Sequence, residues 1–219
     1  MNGVFLSFEG PEGSGKSTQA ARLAARLERA GLEVVAVREP GGTATGEAIR
    51  DILQHDAAGE PIGRETETLL FAASRAQLVG RVIRPALSRG AWVVADRFAD
   101  STVAYQGYGR DLDLGIVQAI NDFATGPSVP DLTFLLDIEV EAGRERMGSR
   151  NRTRRARHDR IEREALPFHR KVRAGYLARA RSLPGRFRIV DARRSETAVA
   201  GDVWRAVRES FAERLPAGA

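Results

Sequence analysis

Gly10-Pro11-Glu12-Gly13-Ser14-Gly15-Lys16-Ser17-Thr18, directly behind the apolar run Val4-Phe5-Leu6-Ser7-Phe8, is the stretch whose reading decides the fold. It fits G-x-x-x-x-G-K-[S/T], so a strand feeds a glycine-rich turn that opens into a helix near Lys16. The glycines let successive backbone N–H groups turn inward around a polyphosphate. Lys16 can place an ammonium between its outer phosphates, the Ser17 hydroxyl can ligate magnesium, and the new helix adds the positive end of its dipole. An ordinary glycine-rich turn would need neither the strand in front nor the helix behind.

Working outward, strands and helices alternate, which predicts an α/β fold on a parallel sheet. Strand candidates are Val4 to Glu9, Glu33 to Arg38, Ala91 to Ala95, Leu132 to Asp137 and Phe187 to Asp191. Between them, Leu23 and Leu27 recur at helical spacing before Gly31. Residues Thr66 to Ser88 carry Leu69, Leu70, Ala73, Leu78, Val82, Ile83 and Leu87 as one long apolar stripe. Pro85 is expected to kink the last turn of that helix or end it early. A final helix reads from a Ser195 cap through Val199, Val203, Val207 and Phe211. These stripes are read as core. The whole of 1–219 is read as a single domain with a mobile lid at about 148–160.

With 219 residues, 42% apolar and 29% charged, the chain can bury a proper core. Zero cysteines exclude disulfides and thiolate metal sites. No apolar stretch approaches a membrane span, and Glu9 and Glu12 interrupt the N-terminus too early for a signal peptide, which reads as cytoplasmic. The net charge of +5 is not spread. Arg144 to Arg173 holds twelve Lys and Arg against four Asp and Glu, a local +8 that leaves −3 for the rest of the chain. Its core contains six arginines from Arg150 to Arg160. A solvated basic loop or a nucleic-acid arm is one reading. Beside a phosphate loop, a flexible lid of arginines is the better one.

In open parallel sheets ligands gather outside the carboxyl ends of the strands. Polar clusters stand at those positions: Arg38-Glu39-Pro40-Gly41-Gly42-Thr43 after the second strand and Asp96-Arg97-Phe98 after the third. An Asp-Arg pair alone is weak. At the end of Trp92-Val93-Val94-Ala95, Asp96 could orient magnesium or its waters while Arg97 binds a phosphate bidentately. Phe71 and Arg75 lie one helical turn apart on one face, so a single helix can offer a flat ring and a planar cation to one base; the alternative for Phe71 is a core aromatic.

Three segments carry a resemblance: Arg38 to Thr43, Leu70-Phe71-Ala72-Ala73-Ser74-Arg75-Ala76-Gln77, and Asp96-Arg97-Phe98-Ala99-Asp100-Ser101-Thr102-Val103-Ala104-Tyr105-Gln106-Gly107-Tyr108-Gly109-Arg110. Together with Asp159-Arg160-Ile161-Glu162 they resemble the bacterial thymidylate kinases, over about Val4 to Ala180. The resemblance implies a P-loop kinase fold, a five-stranded parallel sheet flanked by helices on both faces with an arginine-rich lid. It also implies transfer of the ATP γ-phosphoryl group to dTMP with Mg2+, in a homodimer that takes neither nucleic acid nor membrane as partner.

Residue by residue, it implies that Gly10, Pro11, Glu12, Gly13, Ser14, Gly15, Lys16, Ser17 and Thr18 hold ATP, with Arg144 on adenine. Magnesium falls to Ser17 and Asp96. Phe71 stacks on thymine, Arg75 donates to a base carbonyl, Thr102 and Gln106 reach the base edge, and Tyr105 faces the deoxyribose. Arg38 and Arg97 hold the acceptor phosphate, Glu12 stands near the 3′-hydroxyl and magnesium, and Arg50 supports the pocket. Arg110 is either a further support or half of a surface ion pair. Some relatives have a basic residue where this chain has Gly13; the branch it resembles supplies that charge from the lid, where Arg154, Arg155 and Arg160 are catalytic candidates alongside Lys16 and Arg97. Two alternatives stand: a kinase for UMP, CMP or AMP, and a nucleic-acid-binding P-loop protein.

Overall fold

The computed structural model describes residues 3–55, 59–154, 160–216 and 218. Strands β1 (Val4–Glu9), β2 (Val34–Arg38), β3 (Trp92–Asp96), β4 (Leu132–Asp137) and β5 (Phe187–Asp191) form one sheet in the order β2-β3-β1-β4-β5. Every pairing is parallel, from Val4 opposite Trp92 to Asp137 opposite Asp191. This is the expected five-stranded sheet, and each strand lies within a residue of its sequence boundaries. β1 is central and wholly buried, as strands covered on both faces must be. The two polar side chains that meet in its middle, Ser7 and Thr133, satisfy each other at 2.9 Å.

Helices cover both faces. α1 (Lys16–Arg29) and the last helix pack Leu23, Leu27, Val203, Trp204 and Val207 against Leu6, Phe8 and Phe134. The last helix starts at a Ser195 cap whose Oγ accepts from the Ala198 N–H at 3.3 Å. The opposite face takes α2 (Ala44–His55), α3 (Arg64–Leu78) and α4 (Arg84–Ser88), then α5 (Ala99–Thr102) and α6 (Leu114–Thr125). α7 (Val140–Arg154) leaves β4, α8 (Leu166–Ser182) precedes β5, and α9 (Glu196–Phe211) is the last helix just described.

The helix expected over Thr66 to Ser88 contains a π-helical turn at Val79–Ile83, and helical backbone continues through Ile83 and Arg84 into α4, which carries Pro85 and ends at Ser88. The expected apolar stripe needs correction, because it is not all core. Leu69 is 57% exposed and Ala73 is exposed, whereas Glu67, Thr68, Ser74 and Arg75 on the same helix are buried. Ion pairing, not apolar burial, decides which face of α3 turns inward.

The phosphate loop is braced by backbone contact. Gly13 has φ +73°, and a Cβ there would stand 2.1 Å from the Gly143 carbonyl oxygen. A Cβ on Gly143, in the first turn of α7, would stand 2.3 Å from the Glu12 carbonyl oxygen. A basic side chain at position 13 is therefore incompatible with this backbone. Gly148, further along α7, has open space where its Cβ would be. Gly143→Ala should lower thermal stability by about 1 to 3 kcal/mol through overpacking, while Gly148→Ala should be neutral or stabilising through helix propensity. Paired thermal melts check this; equal behaviour of the two variants would mean that the loop and α7 are not in contact.

Candidate active site

The carboxyl ends of β1, β2 and β3 open into a cavity of about 400 Å³. Glu12, Gly13, Gly15, Lys16, Ser17 and Thr18 line its donor end, and Arg38, Arg50, Phe71, Thr102, Tyr105 and Gln106 its far end, with Asp96 and Arg97 between them. The structure thus brings most of the candidate residues to one surface.

At the donor end, Gly10, Gly13 and Gly15 have φ of +142°, +73° and +90°, conformations that glycine adopts without the strain a Cβ brings. The α1 N-terminus carries no side-chain cap, so its N–H groups and dipole face the cavity. Lys16 is buried and donates to the carbonyls of Gly10 at 3.0 Å and Pro11 at 2.8 Å. Burial, and then the charge of Arg97, pull its ammonium down to about 8 against the opposing carboxylates. Ser17 Oγ donates to Asp96 Oδ2 at 2.5 Å. A hydroxyl and a carboxylate in this proximity, both lining the cavity, are the hard oxygen donors magnesium takes.

Between the two ends, Arg97 sits in left-handed backbone, φ +73°, which for a non-glycine residue costs of order 1 kcal/mol or more and persists only where its surroundings hold it. They do so here. Its guanidinium donates to Glu12, to the hydroxyls of Tyr105 and Tyr176, each at 3.1 Å, and to Ser101 Oγ at 3.3 Å. Tyr105 in turn donates to Glu12 at 2.6 Å. Burial opposes ionisation of Glu12, but the charges of Arg97 and Lys16 outweigh it and hold the carboxyl down at about 2. Behind Arg97, Glu9 accepts from the Phe98 N–H at 2.8 Å, Ser101 Oγ at 2.6 Å and Tyr176 at 3.0 Å. Glu9, Ser101 and Tyr176 went unnoticed in the sequence, where nothing marks a glutamate at a strand end as a support for an arginine 88 positions away.

At the acceptor end, Arg38 donates to Glu47 at 2.9 Å and to the Pro40 carbonyl at 3.2 Å, and Arg50 donates to that carbonyl at 2.9 Å. Phe71 presents a half-buried ring to the cavity. Arg75 lies behind the cavity wall, not on it. Its guanidinium pairs with Glu39 at 2.7 Å and donates to Asn121 Oδ1 at 2.7 Å and Thr102 Oγ1 at 3.0 Å. Thr102, which accepts from Arg75, lines the cavity and connects that guanidinium to it. Glu39 and Asn121 were missed too.

Arg160 also stands apart from the cavity lining. It donates to Glu67 at 2.5 Å and to the Leu53 carbonyl at 3.1 Å. Arg110 takes the support role, bonded to Glu67 at 3.1 Å and Glu164 at 2.6 Å. Arg144 and Arg146 are both exposed; of the two, Arg146 lines the cavity, and it donates to the Ala192 and Arg193 carbonyls at 2.7 and 3.1 Å. Residues 148–154 of the lid expected at 148–160 continue α7, while the side chains of 149–154, Arg154 among them, and all of 155–159, Arg155 included, lie outside the described residues.

Comparison with known proteins follows the same lines. The family described as thymidylate kinase matches residues 8–203. Curated thymidylate kinases from Thermomicrobium roseum and Deinococcus radiodurans are 51% and 48% identical, over 94% of this chain and 94% and 97% of theirs. The crystal structure of thymidylate kinase from Ehrlichia chaffeensis is similar with a TM-score of 0.75 at 32% identity, covering 94% of this chain and 99% of that one. Neither a kinase for another monophosphate nor a nucleic-acid-binding protein is favoured by these matches. The chain belongs to the thymidylate kinase family.

Proposed function

We propose that the cavity binds ATP at its phosphate-loop end and dTMP at its Phe71 end, and transfers the γ-phosphoryl group directly between them to give dTDP and ADP. The enzyme is an ATP-dependent phosphotransferase of its family. The observation that carries the reading is the continuity of the cleft, in which Lys16 and Arg97 stand between a phosphate loop and a flat aromatic wall.

The chemistry is dominated by like charge. At about 4 Å each pair of unit charges repels by roughly 4 kcal/mol at an effective dielectric of 20. Lys16 and the α1 N-terminus draw the donor phosphates in, while Arg38 and Arg97 meet the acceptor phosphate from the other side. Cation placement supplies the stabilisation at the in-line oxygens. The nucleophile is a phosphate oxygen whose second pKa is about 6, so no side chain needs to remove a proton. Asp96 and Ser17 would hold Mg2+, which when bound neutralises charge on the transferred group. Glu12, kept ionised by Arg97 and Lys16, aligns Arg97 and Tyr105 toward the sugar. The arginine segment supplies further cations, among which Arg154 and Arg155 are retained as candidates. Arg160, anchored on Glu67, holds the base of that segment.

The reading includes a cytoplasmic homodimer. Leu69 on α3 and Ile116 and Phe123 on α6 leave an apolar face outside, with Phe123 93% exposed; the two helices pack on each other, so the face is continuous. A second copy of the chain covers it. Phe123→Asp should shift the sedimentation of the enzyme from dimer to monomer, and a wild-type enzyme that sediments as a monomer would remove this part of the reading.

A coupled assay of ADP release with dTMP, UMP, dCMP and AMP tests the substrate. Turnover should be specific to dTMP, and Lys16→Ala should lower kcat at least ~100-fold by removing about 3 kcal/mol of transition-state stabilisation. Near-normal turnover in that variant would contradict the role of the loop.

Glu9 gives a pH signature. Burial, and then the charge of Asp100, push its carboxyl up to about 7, only partly offset by Ser101, Arg97 and the Phe98 N–H. In the unfolded chain the same group titrates near 4.5. The native state therefore holds the proton more tightly, and the resulting stabilisation is complete below about 4.5 and lost as pH rises through about 7. From pH 5 to 8 the melting temperature of the wild type should fall relative to that of Glu9→Gln. A wild type that gains on the variant over this window would show the sign to be wrong.

A further inference from the structure

We infer that Glu67, which does not line the cavity, is a positioning residue for substrate choice: it locks the Gln106 amide so that Oε1 is presented to the acceptor base. The inference rests on the reading of dTMP as acceptor and names what selects its base. Glu67 is buried in the first turn of α3. Gln106 is buried in the π-helical turn Val103–Gly109 and lines the cavity. Its Nε2 donates to Glu67 Oε1 at 2.8 Å.

A carboxylate can only accept. If the amide flipped, Oε1 would face Glu67 lone pair to lone pair, so Nε2 must point to Glu67 and Oε1 into the cavity. The carboxylate has no freedom to turn away. Arg110 Nε reaches the same Oε1 at 3.2 Å, while Arg110 Nη2 and Arg160 Nη2 occupy Oε2 at 3.1 and 2.5 Å. Four donors fill its four lone-pair sites. Burial opposes ionisation here, but the hydrogen bonds from Arg110 and Gln106 prevail and keep the carboxyl below its usual range. Glu67 thus stays an acceptor at any pH the enzyme meets.

Thr102 completes the pattern. Its Oγ1 accepts from Arg75 at 3.0 Å, which leaves the hydroxyl proton and one lone pair for the cavity. The wall therefore presents one fixed acceptor, Gln106 Oε1, beside a hydroxyl that can donate or accept. Thymine answers with a carbonyl oxygen and N3–H. Cytosine presents a bare N3 where thymine has N3–H, and mismatches the fixed acceptor.

The test uses the full-length enzyme and the dissociation constants of dTMP and dCMP, with turnover of dTMP by the wild type as a separate arm. Glu67→Gln lets the Gln106 amide flip, so the preference for dTMP over dCMP should fall about tenfold or more. In a Gln106→Ala background the same substitution should change that preference by less than about twofold, since the group it acts through is gone. If Glu67→Gln fails to fold, Glu67→Asp keeps a charge for Arg110 and Arg160 but withdraws it from Gln106, and should give an intermediate loss of preference. A purely structural role would weaken both nucleotides alike. A folded Glu67→Gln, or Glu67→Asp in its place, with the wild-type preference overturns the inference, as does an equal loss in the Gln106→Ala background. Absence of dTMP turnover in the wild type overturns the underlying reading instead.

Discussion

The wall of the acceptor end depends on one buried ion pair. Arg75 and Glu39 have side chains 1% and 3% exposed, and through them α3 is tied to the loop after β2, to α5 by Thr102 and the Phe98 carbonyl, and to α6 by Asn121. Asn121 closes the ring by donating to the Ala99 carbonyl at 3.0 Å. Two charges withdrawn from water gain little net stability over an apolar pair of the same shape. What they provide is direction: an arginine whose donors are committed cannot be repacked in several ways. Removing one partner would strand the other at a cost of about 3 to 5 kcal/mol, so the elements around the cavity hold one relative position.

The remaining charges follow the same logic at different depths. Arg97 is shared among the phosphate loop, the Tyr105 turn and α8, with Glu9 and Glu12 on its two sides. Glu12 keeps its charge because two cations face it, and Glu9 tends to lose its charge because burial and Asp100 face it. Two glutamates three residues apart, one ending β1 and one in the phosphate loop, thus have their carboxyls pushed in opposite directions. Only Glu12, the one held down, lines the cavity.

The fold was legible because its signals are local. The phosphate loop needs its glycines and lysine at fixed spacing, and the strands are short apolar runs that a parallel sheet buries on both faces. The donor end was legible for the same reason. The acceptor end was legible mostly by resemblance, and what escaped was the layer behind it. Glu9, Glu39, Glu67 and Asn121 act through partners 22 to 167 positions away, and no periodicity encodes that. The α3 stripe misled for a related reason: Leu69 and Ala73 have the spacing of core residues, but Glu67 and Arg75 have stronger claims on the interior once their counter-charges are in place. Arg144 and Arg146 are two positions apart on one helix, so which of them faces the cleft turns on about 200° of helical rotation that the basic composition of the segment does not specify.

The backbone contact between Gly13 and Gly143 has a mechanical side. α7 rests on the phosphate loop at Gly143 and runs on to Arg154, eleven residues or roughly 16 Å of helix beyond that point. Gly143 is thus a fulcrum and the rest of α7 a lever arm. With no side chain between loop and helix, no soft atoms are available to absorb a displacement. With about 4.5 Å of helix before Gly143 and about 16 Å after it, a half-ångström shift of the short end sweeps the far end through about 2 Å. The position of the loop backbone and that of the root of the arginine segment are therefore set together, through one rigid contact.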